Sequence, residues 1–199
     1  MSPDNLFRWI AVFSLGASMA ISIYYRRRAD QSSGERINQA QAEGRGMLLA
    51  RLIGGLGLWA SALLYLINPA WMSWAQLDLP LWLRGIGAAL MIAAVPGIYW
   101  TFSSLDRNVT PTVAIRAEHR LVQHGPYRYI RHPLYTFGLL AFIGLTLLSA
   151  NWVIGLMSVL TAAYLMRRTP LEELRLLEHF GEDYQAYMQQ TGRYLPRVT

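Results

Sequence analysis

The segment HRLVQHGPYRYIRHPLY, residues 119–135, packs three histidines, three arginines and three tyrosines into seventeen positions. Such side chains can hold an anion, move a proton or ligate a metal. Pro133 stands where a helix can begin, because proline's missing N–H costs nothing in a first turn, and the free N–H groups and dipole of that turn favour an anion. Further on, Arg168 offers a planar fork suited to a carboxylate or phosphate, and Glu172 a counter-charge for a cation such as an ammonium group. Both signs of charge beside an apolar wall suit a zwitterionic cofactor next to a lipid-like substrate.

Other chemistries fit less well. His119, His124 and His132 with Glu118 match no familiar zinc spacing, and the flanking arginines repel a cation, so no metal is expected. The chain has no cysteine, which excludes disulfides, thiolate metal sites and a cysteine nucleophile. His124 and His179 read as surface groups, Arg116 and Arg128 as interfacial arginines, and Arg131 as a tie to lipid phosphate or a helix C-terminus. Glu172 has a second reading: Thr169-Pro170-Leu171-Glu172 is a capping box, with threonine at the N-cap and glutamate at N3.

The elements that position these groups are membrane helices. Of 199 residues, 53% are hydrophobic and only 15% charged, where a soluble domain carries about 25%; mean hydropathy is +0.22. All 18 basic residues are arginine and net charge is +6, but the arginines flank apolar runs instead of forming a soluble basic face. Anionic lipid headgroups, not nucleic acid, are the expected partner. Apolar runs at residues 6–25, 47–67 and 81–100 are long enough to span a bilayer, which takes about 20 residues. The first is an anchor, since Arg26–Arg28 follow it and no cleavage pattern is present. The second has Gly54, Gly55 and Gly57 for close packing, and the third is broken at Pro96-Gly97. Shorter spans at 133–148 and 151–166 are joined so tightly that they form an antiparallel hairpin. Residues 170–190 place Leu171, Leu174, Leu177, Phe180, Tyr184 and Tyr187 on one face of an amphipathic tail helix. Trp59, Trp71, Trp74 and Trp82 are interfacial anchors. The expected fold is an all-α integral membrane protein of about five transmembrane helices, with three spans in residues 1–100 and the polar segment, hairpin and tail in residues 101–199.

Arginine placement sets the orientation. The loops after spans one and three carry five arginines each and Arg167 and Arg168 follow span five, whereas residues 68–80 and 149–150 have none. By the positive-inside rule the N-terminus lies outside, and the polar segment and tail face the cytoplasm, in a cytoplasmic (inner) membrane.

With these residues in place, the chain resembles the isoprenylcysteine carboxyl methyltransferase family and its phospholipid methyltransferase relatives. The likeness covers about residues 108–196 and rests on G-P-Y, R-H-P-x-Y, R-x-x-x-E-E and F-G-x-x-Y in this order. It implies an integral membrane enzyme that uses S-adenosyl-L-methionine. By the same resemblance His119, Arg120, Leu121 and Val122 line the cofactor, largely through backbone. Tyr127, His132, Pro133, Leu134 and Tyr135 contact its methionine and adenosine parts, Arg168 holds the substrate, and Glu172 reaches the cofactor. The family often has a glutamine a few residues before the first histidine, where this chain has Thr112.

The expected function is transfer of the sulfonium methyl group to an amphiphilic acceptor at the membrane interface, with carboxyl methylation of an isoprenylcysteine-like, prenylated substrate favoured. Arg168 and Glu172 are the expected catalytic pair. A carboxylate nucleophile needs no base, whereas an amine must lose a proton and makes His132 or Tyr135 a candidate base. The rivals are a phospholipid N-methyltransferase, a sterol-reductase-like NADPH enzyme and a non-enzymatic membrane scaffold. No obligate protein partner is evident.

Overall fold

A computed structural model describes residues 2–33, 45–106 and 121–197. Among these residues the protein is all-α, with two isolated β-bridges and no named strand. α1 spans Pro3–Ser33, α2 Arg45–Ile67, α3 Leu81–Leu105, α4 Pro133–Ser149, α5 Trp152–Phe180 and α6 Glu182–Gln190. α1, α2 and α3 are each long and apolar enough to cross a membrane, and α4 is a shorter apolar helix. The apolar length and the outward-facing leucines, isoleucines and tryptophans make this an integral membrane protein.

Backbone-to-backbone packing organises the bundle. α3 and α4 cross so closely that a Cβ on Gly87 would fall 2.5 Å from the Leu148 nitrogen and 2.7 Å from the Gly144 carbonyl oxygen. α2 meets α5 through two of its four glycines: a Cβ on Gly54 would stand 3.1 Å from Thr161 Oγ1 and one on Gly57 2.5 Å from Met157 Sδ, while Gly55 faces open space. α1 seats Tyr25 flat against Phe102 of α3, ring centroids 6.0 Å apart, with Ala29 buried beside them.

The short α4–α5 hairpin is present. Ala150 takes the left-handed conformation that ends α4, and Asn151 caps α5, accepting from the Val153 and Ile154 nitrogens at 3.1 and 3.2 Å. At this same end of the bundle Arg84 is buried, bonded to Asp4 at 2.7 Å and to the Leu148 carbonyl at 3.0 Å. Arg8 donates to the Leu66 and Ile67 carbonyls. Both arginines thus face helix C-terminal carbonyls, which carry partial negative charge. Trp71, Trp74, Trp82 and Trp152 are exposed here.

Two expected breaks are absent. α3 continues through Pro96-Gly97 to Leu105; the glycine instead makes room for the Phe137 ring of α4, which a Cβ would meet at 2.3 Å. α5 continues past Met166 and through Pro170 to Phe180, so no separate tail helix begins at residue 170. The break comes at Gly181, with φ +54°, and only α6 follows. α5 has 29 residues, or about 43 Å at 1.5 Å per residue, against a hydrocarbon core of about 30 Å. It is therefore longer than that core is thick, and its C-terminal half carries Arg168, Glu172 and Glu173.

Candidate functional site

The site forms where α4 begins, beside the C-terminal half of α5. The G-P-Y turn comes first, as a 3-10 turn over Gly125–Arg128. Gly125 has φ +62°, and a Cβ there would strike Ser104 Oγ at 2.1 Å, so this glycine lets the turn seat on the end of α3. Pro126 is fully buried. The Tyr129 and Ile130 nitrogens both donate to the Pro126 carbonyl at 3.1 Å. The chain then leaves the turn extended and reaches His132, the N-cap of α4, with Pro133 as first helical residue. The Tyr135 and Thr136 nitrogens both donate to the His132 carbonyl at 3.1 Å, so this first turn is closed mostly on itself.

His132 is buried, its ring stacked on Tyr135 at 5.5 Å and 12°. Its Nε2 lies 3.3 Å from Glu173 Oε1, which also accepts from Arg131 Nε at 3.0 Å. Arg193 Nη2 bonds the other oxygen, Oε2. Burial alone would raise the Glu173 pKa, but hydrogen bonds from His132, Arg193 and Arg131 outweigh it and bring the carboxyl down to about 2. Arg131 also donates to the Met188 carbonyl at 3.1 Å and to that of Thr191. It is the tie to a helix C-terminus that its sequence position suggested.

The Tyr135 hydroxyl donates to Glu172 Oε2 at 2.8 Å. Arg168 is buried one turn before Glu172 on the same helix face, and it, Glu172 and Tyr164 all lie within electrostatic reach of Tyr135. Tyr127 closes another side. Its phenol is held well above its ordinary pKa, by burial first and then by the Glu172 carboxylate, and its carbonyl accepts from the Tyr187 hydroxyl at 2.7 Å. The structure thus gathers Tyr127, His132, Pro133, Tyr135, Arg168 and Glu172. Leu134 instead turns into the α1–α3–α4 core, packed against the Tyr25–Phe102 cluster. Leu121 lines a cavity of about 720 Å³ with His124, Asp183 and Tyr187. Val122 is half-buried beside it. His119 and Arg120 lie outside the described residues.

The capping box is not formed. Thr169 is inside α5, its hydroxyl donating to the Leu165 carbonyl at 2.8 Å and accepting from the Tyr194 hydroxyl at 2.7 Å. A local start signal loses here to the tertiary contact of Thr169, and the helix continues through it. Glu172 is left as a half-exposed carboxylate facing Tyr135, with both of its neighbours on α5 helical.

Residues with no role in the sequence reading also converge here. Glu173, Arg193 and Tyr194 are the chief ones. For Glu173 the doubled glutamate was the visible signal. For Arg193 and Tyr194 the sequence carries none, because their partners lie 20 to 60 residues away. Arg26 is a third case: read only as a topology signal, it lies within electrostatic reach of Arg168, Asp30 and Tyr135, so α1 borders the site.

Comparison with known proteins identifies relatives of the chain. The chain is 32% identical over 95 residues to a probable protein-S-isoprenylcysteine O-methyltransferase of Oryza sativa subsp. indica, covering 46% of this chain and 50% of that one. It is 35% identical over 81 residues to the protein-S-isoprenylcysteine O-methyltransferase of Homo sapiens (40% of this chain, 28% of that one). Against the methanethiol S-methyltransferase of a Pseudomonas strain it is 35% identical over 71 residues (36% and 26%). The chain therefore spans half or less of the length of these three relatives. Its fold is similar to that of the eukaryotic intramembrane Ras methyltransferase, isoprenylcysteine carboxyl methyltransferase, with a TM-score of 0.53 and 21% identity over 95% of this chain and 68% of that one. A family model described as phospholipid methyltransferase matches residues 82–183, half of the chain, from the start of α3 to the start of α6. With the G-P-Y turn, the His132–Tyr135 turn and the Arg168–Glu173 stretch all inside that match, the chain belongs to the phospholipid methyltransferase family.

Proposed function

We propose that the protein is an S-adenosyl-L-methionine-dependent methyltransferase acting at the membrane interface on an amphiphilic acceptor, with a prenylated cysteine carboxylate as the favoured acceptor. The observation that carries this reading is the meeting of Tyr135 with Glu172 beside buried Arg168, in a chain of this family. A half-exposed carboxylate and a buried guanidinium on one helix face offer both signs of charge, which fits a zwitterionic cofactor. When bound, that cofactor supplies an activated methyl group on a sulfonium.

The work of the chain is alignment and exclusion of water. Glu172 would hold the cofactor's ammonium group, with Tyr127 and Tyr135 as walls. Arg168 would hold an acceptor carboxylate by two parallel hydrogen bonds. The Tyr135 hydroxyl is committed to Glu172, and His132 Nε2 faces Glu173. The Tyr135 hydroxyl is thus no spare base, and a carboxylate acceptor, which gives up no proton, needs none. The amine-directed alternative is kept because the matching family model is that of phospholipid methyltransferases.

The site faces the cytoplasm in this reading. The arginine-rich end of α1, the Gly125–His132 segment and the C-terminal half of α5 share one end of the bundle, while at the other end Arg84 is paired with Asp4 and Arg8 is bound to helix C-terminal carbonyls. A reporter fused after Thr199 should be cytoplasmic and one inserted near Asp78 external.

Equilibrium binding of labelled S-adenosylmethionine and of NADPH to detergent-purified protein tests the cofactor. Binding of the first and not the second is expected; NADPH binding would turn the reading toward a reductase, and binding of neither toward a scaffold. Methyl transfer to an S-prenylated cysteine, to phosphatidylethanolamine and to methanethiol then tests the acceptor, with the prenylcysteine expected to be fastest.

A further inference from the structure

The chain past α6 returns to the site as a short strap. Gly192 donates to the Tyr129 carbonyl at 3.2 Å, and the Arg131 and His132 nitrogens donate to the Gly192 and Arg193 carbonyls at 2.9 and 3.0 Å. This parallel pairing runs along the three residues before α4. Thr136 Oγ1 donates to the Tyr194 carbonyl at 2.7 Å, and the Tyr194 hydroxyl donates to Thr169 of α5. The strap thus bridges the start of α4 and the middle of α5, the two elements that make the site.

Its side-chain contact is more specific than its backbone. Glu173 has two oxygens and three partners: Arg131 and His132 share Oε1, and Arg193 holds Oε2. A carboxylate beside one arginine alone is free to turn and take that guanidinium with both oxygens, the preferred paired geometry. Such a turn would withdraw Oε1 from His132. Arg193 on the second oxygen opposes the turn and keeps Oε1 between Arg131 and His132. The His132 ring then lies flat on Tyr135, which reaches Glu172.

We propose that Arg193 is a positioning residue of the site, fixing the Glu173 carboxylate that orients the His132 ring against Tyr135. The proposal rests on the methyl-transfer reading above for its consequence on turnover, but not for the orientation itself. The charged and titratable groups around His132 are Arg131 ahead of α4, Tyr135 on α4, Glu172 and Glu173 on α5, Tyr184 on α6, and Arg193 and Tyr194 on the strap. Of these, Arg193 alone reaches in from a largely accessible position, its side chain 43% exposed against 5% for Glu173.

The test uses the full chain in detergent and reads the imidazole by nitrogen NMR, with the His132 signals assigned by their loss in His132→Asn. In the parent, at neutral pH, the proton must sit on Nε2, since the nitrogen facing a carboxylate carries it. A proton on Nδ1 alone would overturn the proposal whatever the variants do. Arg193→Gln should displace the His132 signals and lower kcat roughly tenfold to a hundredfold, the scale of a small misplacement at a reacting centre, with KM for the acceptor little changed. Arg193→Lys should restore most of both. Unmoved His132 signals in Arg193→Gln would sink the idea. Displaced signals in a protein that transfers no methyl group to any acceptor would sink the functional reading and leave the positioning intact.

Discussion

The Tyr135 hydroxyl donates to Glu172 Oε2 across 2.8 Å, joining the first turn of α4 to a turn of α5 37 residues later. This contact excludes the capping role that the sequence left open for Glu172. A capping glutamate would fold back on its own helix start; this one faces another helix, and its own helix starts 20 residues earlier at Trp152.

Glu172→Gln follows from that geometry. An amide oxygen still accepts from Tyr135, so the melting temperature should stay near that of the parent. The lost charge should weaken S-adenosylmethionine binding about tenfold or more, since a hydrogen bond to a charged group contributes about 1.5–3 kcal/mol. Titration calorimetry beside a thermal melt separates the two effects. Unchanged affinity would remove Glu172 from the cofactor site.

Arg168 is buried in α5 one turn before Glu172. Arg168→Ala should impair turnover far more than cofactor affinity. Arg168→Lys should recover little, because a point charge does not reproduce a planar fork. Full activity in the lysine variant would reduce Arg168 to a long-range charge. Steady-state rates with a prenylated acceptor, beside cofactor binding, decide it.

Glu173 makes stability depend on pH. Its carboxyl sits near pKa 2 in the fold, against an ordinary 4.5. The stabilisation is complete above the ordinary value and is lost as pH falls toward 2, because the unfolded chain takes up the proton first. Glu173→Gln should flatten the melting temperature between pH 5 and 2, values that bracket this range. At neutral pH it should cost about 3–5 kcal/mol, the penalty for breaking a buried pair and leaving Arg131 without its counter-charge. Parallel acid profiles for parent and variant would show that the carboxylate does not hold this network.

At the α3–α4 crossing, Gly87→Ala should be destabilising, by about 1–3 kcal/mol or more as for overpacking generally. The two nearest atoms its methyl would meet are backbone and cannot move aside. Gly55→Ala, facing open space on α2, is the control and should leave the melt unchanged or slightly raised, since alanine favours helix over glycine. Equal melts for the two variants would mean that α3 and α4 do not approach this closely.

Much of the architecture was legible in the chain itself. Apolar runs of membrane length marked α1 to α3, because lipid demands internally bonded backbone and little charge. A link as short as Ser149–Ala150 left α4 and α5 no arrangement but a hairpin. Proline after His132 marked the start of α4, and the family resemblance pointed to Tyr127, His132, Tyr135, Arg168 and Glu172 as a group. Local signals failed where tertiary contacts oppose them. Pro96 and Pro170 read as breaks, yet both helices continue, since a side chain from α4 fills the space at Gly97 and Tyr194 binds Thr169 beside Pro170. Only the tertiary structure could choose between Glu172 and Glu173. Adjacent residues on a helix point about 100° apart, so one glutamate meets Tyr135 while the other is buried among Arg131, His132 and Arg193. Arg193 and Arg26 reach the site from opposite ends of the chain, and neither periodicity nor spacing carries information over such separations; that was settled by how the helices pack.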